Sequence, residues 1–487
     1  MIDSTQVFCV LQGHDYVYEL QSITQIFFAN ARFAFVNDIS MVGYTVVGRL
    51  EHKLDAAAPE IICIGEFYCN GQLSSSHILS TSEVEVKSAK RTLMLALFHA
   101  LKEATGQPTP WGALVGVRPA KQARLWLEEG DSEAAVTKRL NQVYQCREDK
   151  IRLALEVARA EQKLIARQKL NSGVGLYIGI PFCPSRCLYC SFVVAQKAGA
   201  DAHKRYLTAL TKECKKLAAD LHLNRQSINA IYIGGGTPTA LSEDNLAFLL
   251  EMISRVFGSF MNAAEYTVEA GRPDSITLEK LALLKENGVN RIAINPQTLN
   301  NDTLKRIGRN HTAQDFYKAY EMALQMGFTN INTDIIAGLP GEGPEDMRYT
   351  MEGLQKIAPS HITVHTLAIK RASRLNENRL EYPAMDFETM DHTLAISQEI
   401  CQGLGLRPYY MYRQKNMLGH FENVGYSLPG FGSLYNVAMM AETQTVLAAG
   451  AGGVTKTIFD NKQEGVRIER TFNPKDVETY IKRMEID

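Results

Sequence analysis

Three cysteines, Cys183, Cys187 and Cys190, stand within eight residues in the stretch YIGIPFCPSRCLYCSF at 177–192. The C-x3-C-x2-C spacing suits thiolate chemistry on a metal, with three soft donors carried by one loop. A structural zinc site is closed by four Cys or His ligands, and the next such residue, His203, lies across the loop in a helical tract. Three unligated thiols on a strand-end loop would invite oxidation. An iron–sulfur cubane explains the spacing better: it normally takes four thiolates, so three leave one iron open to another ligand. Pro181 and Pro184 bar continued strand or helix, which lets the loop wrap a compact object.

Other residue types downstream fit ligand binding. In GGGTPT at 234–239, Gly234, Gly235 and Gly236 allow close backbone approach and Thr237 adds a hydroxyl. The same string also reads as a tight turn ended by Pro238, with Ser242 as a helix N-cap. Glu269 ends TVEAGRPD, where its carboxylate can accept two hydroxyl hydrogen bonds or pair with Arg272. Gln297 closes RIAINPQ, Arg309 lies in RIGRNH, and Asp334 sits inside the apolar run INTDIIAGL. An aspartate there is costly unless a cation or ligand meets it.

These residues need a scaffold, and the chain's periodicity supplies one. From Gly175, apolar strand runs alternate with amphipathic helices: GLYIGI, AIYIGGG, EYTVEA, RIAINPQ, INTDIIAGL and HITVHTL, with helices expected near 201–222, 243–257, 277–287, 301–307, 313–326 and 345–357. Six strands separated by helices imply a parallel sheet with right-handed crossovers, an open or closed β/α barrel. Its functional residues belong at the C-terminal ends of the strands, where the cysteine loop lies. Residues 1–170 read as a separate α+β domain. Its short β-rich runs precede a helix from Ser88 to about Ala104, and a helical connector runs from about Glu133 to Leu170. Residues 171–375 form the barrel and 376–487 a C-terminal, mostly helical lid domain. The break PWGALVGVRPAK, with Arg118 and Lys121, reads as a capped loop or as a docking surface for barrel or substrate.

Composition narrows the function further. With 487 residues, two or three domains are expected. The balance of 52 basic against 53 acidic residues argues against nonspecific nucleic-acid binding and against a polybasic membrane anchor. No apolar run reaches the roughly 18 residues of a membrane span, and no basic n-region leads an apolar h-region, so a cytoplasmic protein is expected. Nine cysteines at irregular spacing do not make a disulfide framework, and the six outside the loop read as small buried hydrophobes.

The cysteine loop resembles the cluster motif of the radical S-adenosylmethionine (SAM) superfamily. More narrowly, YIGIPFC with GGGTPT and the later motifs resembles the oxygen-independent coproporphyrinogen III oxidase/dehydrogenase family across roughly 175–485, and its HemZ variant in the N-terminal part. The resemblance implies a partial (β/α)6 radical SAM barrel. It also implies a [4Fe–4S] cluster on Cys183, Cys187 and Cys190, whose open iron takes the SAM amino and carboxylate groups. One electron then cleaves SAM to methionine and a 5′-deoxyadenosyl radical. By the same resemblance Tyr177, with the three cysteines, belongs to the catalytic set. Tyr177, Gly234 to Thr237, Glu269, Gln297, Arg309 and Asp334 fall on SAM-contacting positions, with Tyr189 and Ala368 as weaker contacts. Gln297, Arg309 and Asp334 would line a second SAM. Two loop positions depart from the family: Gly179 stands for a histidine and Phe192 for a fourth nearby cysteine.

The implied substrate is a tetrapyrrole with four propionates, two of which would be oxidatively decarboxylated to vinyls to give protoporphyrinogen IX. A separate electron donor is also implied. Such a site wants cations beside apolar surface, and Lys370, Arg371, Arg374, Arg413 and Lys415, near Tyr409, Tyr410 and Tyr412, are the candidates. A rival from another class is a haem chaperone. Those relatives bear His-Asn-x-x-Tyr-Trp, but here Tyr435 precedes Asn436 and no Trp follows Trp126. A radical SAM enzyme with another substrate is the remaining alternative.

Overall fold

The computed structural model describes residues 6–28, 31–53, 59–83, 85–116, 118–170, 173–192, 195–196, 199–370, 372–378, 381–383, 385–414, 417–461 and 465–486. It divides into two compact units: 1–119 with 126–153 and 419–421, and 120–125 with 154–418 and 422–487. The division therefore falls inside the helix Glu148–Leu170, not at its end.

The smaller unit is α+β. Its sheet runs in the order Arg32–Phe35, Gln6–Gln12, Tyr44–Lys53, Glu60–Cys69, Gln72–Thr81, parallel through its first three strands and antiparallel after them. The helix Val86–Thr105 buries Leu93, Leu97, Phe98 and Leu101 in the same apolar cluster as Val46, Ile61 and Phe67. The expected continuous helix from Glu133 to Leu170 is instead two. Helix Glu133–Lys138 gives way to a π turn at Arg139–Val143, and the second helix starts at Glu148. The break has a packing cause: the Tyr144 carbonyl is drawn out to accept from Ala113 N at 2.8 Å, and Gln145 adopts φ +55°.

The larger unit holds an eleven-stranded sheet. Its centre is the parallel array Val174–Ile180, Ile228–Gly235, Met261–Glu269, Arg291–Ala293, Ile331–Ala337 and His361–Thr366, in sequence order. Burial of Val174–Ile180 is almost continuous, as a strand covered on both faces requires. Helices Ala200–Leu223, Glu243–Phe257, Leu278–Glu286, Ala313–Gln325 and Pro344–Gln355 make the crossovers. Ser242 caps its helix as expected, accepting from Asn245 N at 3.4 Å. The fourth strand is short because Pro296 cannot donate to the ladder; pairing resumes only as a bridge between Gln297 and Ile335.

Residues 376–487, expected as a mostly helical lid domain, differ. They add Arg407–Tyr412 and Asn423–Ser427 beside the sixth parallel strand. At the other edge they add Val446–Ala449, Val454–Asn461 and Gly465–Phe472 beside the first. The Gly- and Tyr-rich composition hid these strands: Asn423–Ser427, for example, is buried along its whole length and shows no alternation. Lys121, from the PWGALVGVRPAK break, donates to Glu442 at 2.9 Å.

Candidate functional site

Strand register brings the chemistry-bearing residues to one level. Gly179 pairs with Gly234 and Ile180 with Gly235, while Glu269 pairs with Ala293 and Asp334 with Thr363. The glycines, Ile180 and Glu269 stand at the C-terminal ends of their strands, and Asp334 and Thr363 lie mid-strand; a cavity of about 440 Å³ opens there.

Backbone hydrogen bonds build the cysteine end of that cavity. Gly236 N donates to Ile180 O at 2.8 Å and Thr237 N to Phe182 O at 2.7 Å, which docks the glycine turn on the cysteine loop. Gly235 has φ +107°, and a Cβ on Gly236 would stand 2.4 Å from Phe182 O, so neither position accepts another residue without strain. Leu188 N bonds to Ile307 O and Leu375 N to Leu188 O, each at 2.9 Å, fixing the loop's middle. Cys183, Cys187 and Cys190 all line the cavity. Among the described residues no three His, Cys, Asp or Glu side chains converge as ligands of a metal ion. The thiols instead border a space wide enough for a multi-atom group. Burial raises the Cys183 thiol to about 11 and raises Cys190 as well, so a metal must displace their protons on binding.

Glu269 sits behind the glycine turn. Its Oε1 accepts from the Tyr232 hydroxyl and its Oε2 from Gly235 N at 3.2 Å. Burial pushes it up to about 7. The alternative pairing with Arg272 is not made: Arg272 donates to Asp274 through two bonds, at 2.8 and 2.7 Å.

A second polar group lies across the cavity. Gln297, at φ +69°, exchanges backbone bonds with Asp334 and Ile336 at 3.0 Å. Arg309 donates to Tyr189 OH at 3.2 Å, Gly271 O at 3.0 Å and Asn295 O at 2.5 Å. Gln297 Oε1 and Arg309 Nε are buried without a partner, as polar atoms awaiting a ligand would be. Burial works against the Asp334 charge, but His365 at 3.7 Å and Asn332 at 2.6 Å hold its carboxyl below the usual range.

The cavity is thus lined by the cysteines, Tyr189, Gly235, Gly236, Thr237, Glu269, Gln297, Arg309, Asp334, Ala368 and Lys370. Gly234 and Tyr177 are not among its lining residues. The Tyr177 ring stacks in a trio with Tyr232 and Tyr435, and its hydroxyl backs Gly235. The cation candidates separate. Lys370 lines the mouth, with its Nζ 6.0 Å from the Phe192 ring centroid. Arg374 is exposed at the start of a short helix and is not among the lining residues. Arg413 is also placed outside it, because alternation along the chain turns Tyr410, Tyr412 and Gln414 inward. Arg371 and Lys415 lie outside the described residues. Sequence reading missed His365, Asn295 and Asn332, and took Arg272 only as a partner for Glu269. His365 had a signal, since HITVHT alternates Thr363 and His365 onto one face; Arg272 had none beyond its place in GRPD.

The chain is similar to several known proteins. The radical SAM superfamily model matches residues 177–354. The oxygen-independent coproporphyrinogen-III oxidase-like protein HemZ of Bacillus subtilis (strain 168) is 38% identical over 407 residues, 83% of this chain and 81% of that protein. The heme chaperone HemW of the same organism is 34% identical over 234 residues, 47% of this chain and 60% of that one. Among solved structures, the coproporphyrinogen III oxidase HemN of Escherichia coli, a radical SAM enzyme, aligns with TM-score 0.49 and 20% identity, over 68% of this chain and 72% of that one.

Proposed function

Since the chain belongs to the radical SAM superfamily, in the family of HemZ, we propose that it is an oxygen-independent coproporphyrinogen III dehydrogenase. On this reading each of two propionates loses a hydrogen atom to the SAM-derived radical, CO2, and one electron to a separate acceptor, leaving vinyls and giving protoporphyrinogen IX in haem biosynthesis.

The superfamily works with a [4Fe–4S] cluster and SAM, and the residues present fit both. Three thiols and a glycine cradle without room for a Cβ border one cavity, and Gln297 and Arg309, which carry the orphaned Oε1 and Nε, are among its lining residues. Cys183, Cys187 and Cys190 would hold the cluster. Gly234 to Thr237 and Glu269 would hold SAM, and Gln297, Arg309 and Asp334 a second one. When bound, these groups supply one-electron, hydrogen-abstracting chemistry. The chain's own residues supply orientation. Tyr232 and Gly235 N fix the Glu269 carboxylate toward hydroxyl donors, Lys370 would pair with a propionate at the mouth, and Tyr410 and Tyr412 would give the tetrapyrrole an apolar wall.

The carrying observation is Lys370. It lines the cavity with its Nζ over the face of the Phe192 ring, 6.0 Å from the centroid, an arrangement suited to an anionic substrate. The haem-chaperone reading draws support from the HemW relatives. Against it stands Tyr435, which occupies the chaperones' histidine position and is buried in a ring stack. Anaerobic incubation with SAM, a reductant and coproporphyrinogen III decides: CO2 and 5′-deoxyadenosine are expected together. Stoichiometric haem binding without CO2 release would replace this reading with the chaperone.

A further inference from the structure

We propose that the Asp274–Arg272 pair tunes the reduction potential of the iron–sulfur cluster through Cys187. The proposal rests on the reading that Cys183, Cys187 and Cys190 hold that cluster.

Arg272 lies three residues after Glu269 and is only 3% exposed. Its Nε and Nη2 donate to the two Asp274 oxygens at 2.8 and 2.7 Å, a fork that fixes the guanidinium plane. That leaves Nη1, which donates to Ser185 Oγ at 3.0 Å and stands 3.8 Å from Cys187 Sγ. Ser185 is anchored in turn, donating to Gly308 O at 3.0 Å. The backbone beneath is pinned as well: Arg272 O accepts from Ser275 N at 2.9 Å and from Ser275 Oγ at 2.8 Å, and Ser275 Oγ is 2.7 Å from Thr239 Oγ1. Other cations at the cavity behave differently. Arg186 donates to the carbonyls of Cys190 and Ala372, and Arg309 to two carbonyls and Tyr189.

Hydrogen bonds to ligand sulfur and local net charge are main determinants of a cluster's potential. The reduced cluster carries one more negative charge than the oxidised one. A guanidinium held at a ligand sulfur therefore favours reduction. Asp274, on the far side of that guanidinium, cancels part of its field. The two residues thus act with opposite sign, which a purely structural pair would not do.

The test is a mediated redox titration, followed by electron paramagnetic resonance, of anaerobically reconstituted wild type, R272Q and D274N, with iron and sulfide counted per chain. The electron comes from mediators poised with dithionite. In R272Q the reduced-to-oxidised ratio at a fixed ambient potential should fall at least tenfold, about 59 mV for a one-electron couple. In D274N it should rise. D274N keeps the guanidinium charge, its Ser185 contact and one of the two acceptors, so it decides the matter even where R272Q loads poorly. Fully loaded variants whose ratios stay within twofold of wild type, or move in the same direction, overturn the proposal alone. A wild type that takes up no iron overturns the cysteine assignment with it.

Discussion

At the cysteine end of the cavity, backbone hydrogen bonds place nearly every group that faces a ligand. At the end formed by residues 363–370 and 410–414, side chains do. The glycine turn and the cysteine loop are joined by Gly236 N to Ile180 O and Thr237 N to Phe182 O. Across the cavity, His365 meets Asp334 at 3.7 Å, Lys370 rests near an aromatic ring, and Phe192 is 61% exposed. The first end is preorganised for groups that are the same in every turnover. The second is set by side chains, whose rotamers can change without the backbone, and its rim carries the exposed Phe192 ring.

Breaking the fixed end should have the largest effect. Cys187→Ala should abolish cluster loading and with it all SAM cleavage. Anaerobic reconstitution with iron quantitation reads this directly, and retained stoichiometric iron would sink the cluster assignment.

The same preorganisation makes a pH prediction. Glu269 is raised to about 7 in the fold, chiefly by burial, against an unfolded value of about 4.3. Between those values the folded protein holds a proton that the unfolded chain has lost. The stability from Glu269 is therefore present below about pH 4 and is lost as the pH rises through about 7. Compared with Glu269→Gln, the wild type without ligands should lose about 2 kcal/mol between roughly pH 5 and 8. Denaturant midpoints of both proteins across that range measure it; parallel curves would mean that the carboxyl does not titrate there.

At the movable end the effect should be smaller and confined to binding. Lys370→Ala should raise KM for coproporphyrinogen III about tenfold, the scale of one charge-assisted contact, with kcat within about twofold. Lys370→Arg should restore most of it. A fall in kcat at unchanged KM would place Lys370 in the chemistry instead.

The contrast also explains what could be read from the sequence. The cysteine spacing, the glycine run and the six strand–helix repeats are constraints on backbone, and backbone constraints leave residue types at fixed offsets. The movable end leaves no such trace. Arg413 and Tyr412 are neighbours in sequence, yet only Tyr412 reaches the cavity, and strand parity decides this once the strand is known. Distance in sequence hid the joining strands: Asn423–Ser427 pairs with the sixth parallel strand and Val446–Ala449 with the first, while the strands beyond them pair locally, 407–412 with 423–427 and 454–461 with 465–472. Tyr177 shows the reverse: the position matched a motif, while its side chain backs Gly235 from a tyrosine stack.

That stack provides the mildest test. Tyr435 is the second residue of the helix Leu434–Ala441, is 7% exposed, and lies 4.5 Å from Tyr232 and 6.4 Å from Tyr177 between ring centroids. Glu265 accepts from Leu434 N at 2.7 Å and from Tyr435 N at 3.3 Å, so the helix start is held whatever side chain stands at 435. Tyr435→His would recreate the residue type of the chaperone relatives on this backbone. The smaller ring should forfeit about 1 kcal/mol of stacking and, still directed into the stack, should not bind haem. Titration with haem followed by visible absorbance gives the answer. One haem bound per chain in Tyr435→His, absent in wild type, would mean that the far end retains a haem pocket closed by a single side chain. The division between a fixed cofactor end and a movable substrate end would then have to include a third use of the same cavity.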